Sequence, residues 1–176
     1  MEKKVFGYPK FDESGEMILT TYENEYRDML MDIRVYKLEK NQTKIFTSDD
    51  EEIAALLLNG KIEINVDGIE KIVSRKSVFL EGPYAGHVSH SKIISVKALE
   101  ETEILVQKTK NKVTFKSKLY TPEDAPWKYS SQGWYGNVAN RRVNTIIDHD
   151  IEPKSNMVLG EVLNDPGNWS GYLPHR

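Results

Sequence analysis

Gly60-Lys-Ile-Glu-Ile-Asn-Val-Asp-Gly68 is the stretch from which the fold can be inferred. Apolar residues at positions 62, 64 and 66 alternate with polar residues at 61, 63 and 65. This period of two predicts a β-strand with one buried face. The next two residues, Asp67 and Gly68, tolerate the positive φ that a two-residue hairpin requires. The stretch therefore predicts a strand that enters a tight hairpin.

Further short β-rich runs lie on both sides of this hairpin. They cover residues 33–38, 44–47, 53–58, 69–73, 77–80, 92–99, 103–109 and 113–120. Gly, Pro, Asp and Ser separate them at spacings of about 8 to 12 residues, a pattern typical of antiparallel sandwiches and barrels. No long amphipathic helix pattern competes with it. We therefore predict an all-β fold, an antiparallel jelly-roll or β-sandwich barrel.

The character of the sequence changes near residue 120. Residues 121–127 contain two prolines and the pattern of a first helical turn, and residues 128–140 are rich in Gly, Ser, Asn and aromatic residues. Two more strand-like runs follow, at 142–147 and 156–163. We predict a first barrel in residues 1–120, a connector in 121–140, and the start of a second, incomplete domain in 141–176.

Composition excludes several classes of function. The 176 residues carry 24 Lys and Arg against 27 Asp and Glu, a formal charge of −3, so we predict no nucleic-acid partner. Without cysteine there is no disulfide, thiolate nucleophile or Cys-ligated zinc, and any metal must be bound by His, Asp or Glu. The N-terminus lacks the apolar run of a secretion signal, and the longest apolar run, 53–58, is too short for a membrane span. We expect a soluble, cytoplasmic protein with no membrane partner.

Acidic residues and histidines supply the first candidate sites. Residues 49–52, Asp-Asp-Glu-Glu, have ligands for a hard cation but lack the glycine of a calcium loop, so a solvated acidic turn is favoured. His87 and His90 are three residues apart, a spacing that sends two rings to opposite faces of a strand, which favours histidines at the barrel rim over a zinc site. The run Asp148-His149-Asp150 is interpreted as a turn after a strand rather than as an acid–base pair.

Aromatic residues and arginines supply the second set of candidates. Two sequence clusters contain Trp127, Tyr129, Trp134, Tyr135, Trp169 and Tyr172. Such rings form sugar-binding platforms, but they more often cover a barrel mouth or seal a domain interface, and packing is favoured here. Arg141 and Arg142 either bind a sugar-acid carboxylate or pair with the surplus of acidic residues, and the sequence leaves both open.

The most specific patterns lie in the C-terminal part of the chain. Residues 140–147, 155–162 and 166–176 resemble, in order and spacing, the 5-deoxyglucuronate isomerase family of myo-inositol catabolism. The last of them, Pro166-Gly-Asn-Trp-Ser-Gly-Tyr-Leu-Pro-His-Arg176, is similar to the family motif P-G-N-W-S-S-Y-P-P-H, with Gly171 and Leu173 as departures. Residues 35–38, 56–61 and 75–79 also look like the family's first cupin barrel.

This resemblance implies a bicupin with a metal-free first barrel. Residues 46–53, which precede the hairpin, contain no histidine, in agreement with that pattern. The family's second barrel binds a divalent ion, zinc or manganese-like, through a His-x-His pair, a Glu and a later His. Only His175 matches one of these ligand positions, and Arg176 stands one residue before the second His. We therefore expect an incomplete metal site and no activity from these 176 residues alone.

The resemblance also implies a reaction and a small-molecule partner. Family members convert 5-deoxy-glucuronate to 5-dehydro-2-deoxy-gluconate, an aldose–ketose isomerisation that needs carbonyl polarisation and a base. No catalytic or substrate-binding residue of this chain is identified by it. The open edges of a half-built second barrel lead us to expect a homo-oligomer. The alternative is a non-catalytic cupin fragment that acts as an assembly or carbohydrate-binding module.

Overall fold

The structure, a computed structural model, describes residues 7–170. These residues form β-strands joined by turns and two short 3-10 helices, η1 (Arg27–Met29) and η2 (Trp134–Asn137). The strands are β1 (Glu16–Thr20), β2 (Met31–Leu38), β3 (Thr43–Thr47), β4 (Glu51–Val66), β5 (Ile69–Arg75), β6 (Ala85–Val88), β7 (Ile93–Ala98), β8 (Thr102–Lys110), β9 (Lys118–Tyr120), β10 (Lys128–Ser130), β11 (Arg141–Ile147) and β12 (Leu159–Asn164). In the described part of the chain, no helix is long and apolar enough to cross a bilayer.

β1 to β9 build a barrel in which every pairing is antiparallel. One side has the order β1-β2-β8-β4-β6-β9, and the other side contains β3, β7, β4 and β5. β4 belongs to both sides. Residues 51–59 pair with β8 and residues 53–56 also pair with β6, whereas residues 60–66 pair with β5 and residues 62–66 also pair with β7. The prediction of an antiparallel all-β barrel is confirmed.

The change of partner along β4 occurs at residues 57–60, which we call the β4 corner. The pairing with β8 shifts register between Leu57 and Asn59, as in a β-bulge. Gly60 follows with φ of +104°, and a Cβ at that position would lie 2.7 Å from the carbonyl oxygen of Glu101. Glycine is therefore required at Gly60 both for the backbone conformation and for the close approach of the chain before β8.

The hairpin that the sequence predicts is present. Val66 pairs with Ile69, and the two residues between them have φ of 50° at Asp67 and 94° at Gly68. Two positive φ values match the type I′ turn that suits the twist of a hairpin. The apolar residues at 62, 64 and 66 are at most 2% exposed, so the alternation marks the barrel interior as expected.

A second, three-stranded sheet packs on the outside of the barrel. It has the order β10-β11-β12, and Ile146, Ile147, Met157 and Leu159 contribute to a buried cluster that also contains Ala54 and Leu56 of β4. The opposite face of β4 at Ile53, Ala55 and Leu57 points into the barrel core. Burial on both faces explains why residues 53–58 are continuously apolar rather than alternating.

Several strand predictions are wrong in detail. Residues 77–80 form a turn, with the amides of Leu80 and Glu81 donating to the Ser77 carbonyl. Of the predicted strand 113–120, only Lys118–Tyr120 pairs, and the predicted strand at 156 begins at Leu159. Three further strands, β1, β6 and β10, were not predicted, because they are three to five residues long and carry little periodic signal. The division into domains at 120 and 140 stays a prediction.

Replacing Gly60 tests the β4 corner. Gly60→Ala forces a Cβ into backbone atoms at a positive φ, so we expect a loss of about 3 kcal/mol in the free energy of unfolding. Gly68→Ala is the matched control, because its φ is also positive but no atom lies within 4 Å of the new Cβ. It should cost about 1 kcal/mol. Urea denaturation of both variants measures the difference, and equal losses would contradict a steric role for Gly60.

The hairpin carboxylate gives a pH-dependent prediction. A hydrogen bond from the Ser117 hydroxyl (2.8 Å) and the nearby Lys92 ammonium (3.1 Å) lower the pKa of Asp67 below its ordinary 3.8. A lowered pKa stabilises the fold above pH 3.8, and this contribution is lost as the pH falls through the folded-state value.

Asp67→Asn keeps a residue that tolerates positive φ but removes the charge. Because Asp67 is exposed, the loss at neutral pH should be below about 1 kcal/mol. Urea denaturation at neutral pH and near about pH 3 should show the difference between the two proteins shrinking with acidity. A difference that grows with acidity would contradict the assignment.

Candidate functional site

The interior of the barrel is lined with apolar side chains where its strands face one another. Phe46 on β3, Ile53 on β4 and Val88 on β6 are each at most 5% exposed and belong to one packed cluster. Among residues 7–170, no group of three or more His, Asp or Glu side chains is placed to hold a metal ion. The described part of the barrel therefore presents no donor set that fits the divalent ion implied by the family resemblance.

Charged side chains on β1 and β2 bond to one another at the edge of this core. Arg34 forms a bidentate pair with Asp32, with both distances 2.7 Å, and also donates to Glu16 at 2.7 Å. The Tyr36 hydroxyl donates to the same Glu16 carboxylate at 3.1 Å. Burial, followed by the Glu16 charge, raises the pKa of Tyr36 to about 12. Tyr36 therefore stays protonated at neutral pH and acts as a donor rather than a base.

The expected solvated acidic turn is wrong for two of its four residues. Asp49 lies in the turn, and Asp50 at its end is paired with Lys110 at 2.9 Å. Glu51 and Glu52 already belong to β4 and are 9% and 0% exposed. The strand starts two residues earlier than its apolar run suggests, because partners elsewhere in the chain satisfy these carboxylates.

Glu52 is the centre of a buried polar cluster on the outer face of the barrel. Its Oε2 accepts a hydrogen bond from the Ser155 hydroxyl at 2.8 Å and lies 3.1 Å from Nε2 of His87. Its Oε1 accepts from the backbone amide of Asn156 at 2.6 Å. The His87 ring packs on Phe115, with centroids 4.6 Å apart. The cluster fixes the segment before β12 to the barrel wall.

The expectation that both histidines lie at the rim is wrong for His87. Its side chain is 1% exposed, because β6 lies inside the sheet between β4 and β9 and the rings of Phe115 and Tyr120 lie against its ring. His90 lies in the next turn, half-buried, 3.4 Å from the Thr114 hydroxyl. The turn predicted at residues 148–150 is confirmed, with Ile151 N–H donating to the Asp148 carboxylate.

Arg75 is a functional candidate that the sequence analysis noted only as part of the resemblance. Its side chain is 0% exposed and forms a bidentate salt bridge with Glu161 of β12, at 2.7 and 2.8 Å. The same guanidinium donates to the carbonyls of Leu57 and Glu81, both at 2.9 Å. One signal was available, because Arg75 is two residues after buried Val73 on β5, a spacing that predicts the same face of the strand.

Aromatic side chains meet beside the last described turn. The rings of Trp134 and Tyr135 are 6.4 Å apart and those of Tyr135 and Trp169 are 5.5 Å apart, which joins residues from both predicted clusters. Each ring residue is about half exposed, at 45 to 59%. The amide of Trp169 donates to the Val138 carbonyl at 2.6 Å, so the Gly-Asn-Trp turn is fixed to this loop.

The remaining candidates lie apart from this aromatic group. The guanidinium of Arg142 stacks on Trp127 at 3.9 Å and donates to the Phe79 carbonyl, whereas Arg141 donates to the Ala139 carbonyl. Neither arginine forms an ion pair among the described residues, so the structure leaves the carboxylate-binding interpretation of Arg141 open. His175 and Tyr172 lie outside the described residues.

The fold places the chain in a class and the comparisons place it in a family. An antiparallel jelly-roll barrel of this kind is the cupin fold, and the KduI/IolB family matches residues 7–176. The chain belongs to the KduI/IolB family. It is 30% identical over 171 residues to the 5-deoxy-glucuronate isomerase of Geobacillus kaustophilus, covering 94% of this chain and 59% of that protein.

Other relatives and solved structures agree with this assignment. The 5-deoxy-glucuronate isomerase of Bacillus subtilis strain 168 is 28% identical over 130 residues, which cover 72% of this chain and 46% of that protein. An IolB-like protein from Salmonella typhimurium has a similar fold, with TM-score 0.71 at 17% identity over 89% of this chain and 59% of the other. The chain thus spans less than two thirds of the length of these relatives.

The Glu52 cluster gives a prediction for this region. Glu52→Gln keeps the size of the side chain but replaces one acceptor oxygen with a donor group, which faces the Asn156 amide or the Ser155 hydroxyl. We expect a loss of about 2 to 3 kcal/mol in the free energy of unfolding. The exposed Asp49→Asn is the control and should change it by less than about 0.5 kcal/mol. Equal effects in denaturant titrations would contradict a buried role for Glu52.

Proposed function

We propose that this chain is part of a sugar-acid isomerase that converts 5-deoxy-glucuronate to 5-dehydro-2-deoxy-gluconate in myo-inositol catabolism. The observation that carries the proposal is the match of almost the whole chain to the family and to relatives named 5-deoxy-glucuronate isomerase. The Pro166–Trp169 turn, which opens the most specific motif, is held against the connector by the Trp169 amide. We expect a small-molecule sugar acid as the partner and the cytoplasm as the location.

The barrel and the three-stranded sheet contribute support rather than reacting groups in this proposal. An aldose–ketose isomerisation moves a proton between neighbouring carbons and needs a base near them. A divalent ion, as the family resemblance implies, would supply carbonyl polarisation. No set of residues within 7–170 fits such an ion. We propose His175 as one of its ligands, with the other ligands outside these 176 residues, and therefore no turnover by this chain alone.

The two faces of the three-stranded sheet support the proposed domain organisation. The face carrying Ile146 and Leu159 packs on the barrel, whereas Val162 on the other face is 49% exposed. β10 and β12 are the edge strands of this sheet. We propose that residues 141–176 begin a second cupin domain on this open face. The open edges also favour association of copies into a homo-oligomer.

Turnover and metal content test the isomerase proposal separately. The 176-residue chain mixed with 5-deoxy-glucuronate and manganese or zinc should give no ketose product by NMR. A chain extended to the length of the relatives should give product that a chelator abolishes and added metal restores. Chelator-insensitive turnover by the 176-residue chain would contradict the proposed site.

His175→Gln in the extended chain tests the ligand assignment. Loss of one ligand should lower metal stoichiometry and affinity, measured by elemental analysis and calorimetry, by about 10-fold or more. The exposed His149→Gln is the matched control and should bind metal like the parent. Unchanged metal content in His175→Gln would remove His175 from the ligand set without affecting the assignment to the family.

A carbohydrate-binding role without catalysis is a second candidate. The observation that favours it is the half-exposed aromatic group of Trp134, Tyr135 and Trp169. Aromatic surfaces of this kind take part in binding because large rings combine apolar area with a polar end. Calorimetric titration of the 176-residue chain with glucuronate tests this candidate. Trp169→Ala should weaken the binding, and Trp127→Phe, outside the aromatic group, is the control. Absence of binding heat would eliminate this candidate.

A further inference from the structure

The contacts between the barrel and the three-stranded sheet form a junction that contains charged groups as well as apolar ones. Ala54 and Leu56 of the barrel meet Ile146 and Leu159 of the sheet in the apolar part. Arg75 on the barrel side is fully buried, and its ionic partner, Glu161, is 11% exposed on the sheet side. Arg75 thus places the planar fork of a guanidinium, with its donors, inside this junction.

Arg75 connects the junction to the β4 corner. Its Nη1 donates both to Glu161 Oε1 and to the carbonyl of Leu57, the residue at which the pairing of β4 with β8 begins to shift. Arg75 also pairs with Gly60 across β4 and β5. One side chain therefore stabilises the bend of β4 and holds β12 in place.

The bonds of Arg75 are unequal in their electrostatic effect. The Leu57 and Glu81 carbonyls are neutral, so among the described residues Glu161 is the partner that balances the charge. The Nε of Arg75 itself is buried without a hydrogen-bond partner in the described structure, and so is Oδ1 of Asn144. Asn144 stands directly opposite Glu161 on β11. Among the described residues, Glu161 is the carboxylate that forms an ion pair with Arg75.

We propose that Arg75 couples docking of the three-stranded sheet to the conformation of the β4 corner, so that the sheet and the barrel open and close as one cooperative unit. When the sheet moves away, Glu161 leaves with it and the guanidinium remains uncompensated in a buried position. A buried charge without its partner is strongly unfavourable. Arg75 then moves toward water, and the Leu57 carbonyl loses its donor. Opening of the junction in this way opens the corner of the barrel.

Two variants made in succession test the electrostatic part of this proposal. Glu161→Gln removes the balancing charge and should raise the unfolding equilibrium constant by about 100-fold or more. Adding Arg75→Met to Glu161→Gln removes the buried charge and should recover at least about tenfold of that loss. The exposed pair Lys37–Glu103 is the control, since Glu103→Gln should change the constant by less than about fivefold. A double variant less stable than Glu161→Gln would overturn the proposal.

The tryptophans make the cooperativity directly measurable. All three, Trp127, Trp134 and Trp169, lie after residue 120, whereas most strands lie before it. Tryptophan fluorescence therefore follows the C-terminal part, and far-ultraviolet circular dichroism follows mainly the barrel. The two denaturation curves of the parent chain should coincide. A fluorescence transition well below the circular dichroism transition would show that the sheet opens independently, and would overturn the proposal.

Amide hydrogen exchange distinguishes coupling between the sheet and the barrel from a role of the Arg75–Glu161 pair that is confined to β12. In Glu161→Gln, amides at residues 57–62 and 73–75 of the barrel should lose protection along with those of 159–164. A local role would change only 159–164, and that result would contradict the coupling. If Glu161→Gln does not fold, Glu161→Asp keeps the charge with a shorter reach and should give a smaller loss at the same barrel amides. Glu103→Gln should leave them unchanged.

Discussion

The bend of β4 at residues 57–60 is the constraint on which the rest of the structure depends. A single strand of 16 residues serves both sides of the barrel, and it does so because a bulge precedes Gly60 and no side chain occupies the space next to Glu101 and Thr102. The bulge changes the pairing around Leu57, whose carbonyl accepts from Arg75. A charged side chain thus enters the junction as a consequence of backbone geometry.

This constraint also explains how the three-stranded sheet is held on the barrel. Arg75 brings a buried positive charge to the contact between the barrel and the sheet, and Glu52 brings a buried carboxylate. Glu161 of the sheet forms the ion pair with Arg75. Ser155 and Asn156, in the segment before β12, donate hydrogen bonds to Glu52. Apolar packing alone is not directional, so these polar contacts define one position of the sheet.

The interior of the barrel and the C-terminal turn have different roles in a member of the KduI/IolB family. Phe46, Ile53 and Val88 belong to the apolar cluster that fills the interior, so the barrel is a closely packed support. The Gly-Asn-Trp turn is fixed outside the barrel by the Trp169 amide and by the Asn168 side chain, which donates to the Asn140 carbonyl. These two contacts place the turn beside the residues that precede β11.

Much of the fold could be predicted from local patterns. Alternation at residues 60–66 and the Asp67-Gly68 pair predict the hairpin, because strand period and turn conformation are properties of a few neighbouring residues. Short strands such as β6 and β10 were missed, since three or four residues carry no reliable period. The contacts of the candidate site could not be predicted in this way, because His87 and Glu52 are 35 residues apart in sequence and Arg75 and Glu161 are 86 apart.

The sequence by itself determined the all-β class, the central hairpin and, through the final motif, the family that the comparisons confirmed. Tertiary structure decided which charged residues are buried. Glu51 and Glu52 belong to an acidic run that is typical of a solvated turn, and Arg75 is a residue type typical of exposed strand positions. All three are nevertheless buried. The physical reason is that the free energy of burying a charge depends on its partners, and those partners come from strands and turns that are distant in sequence.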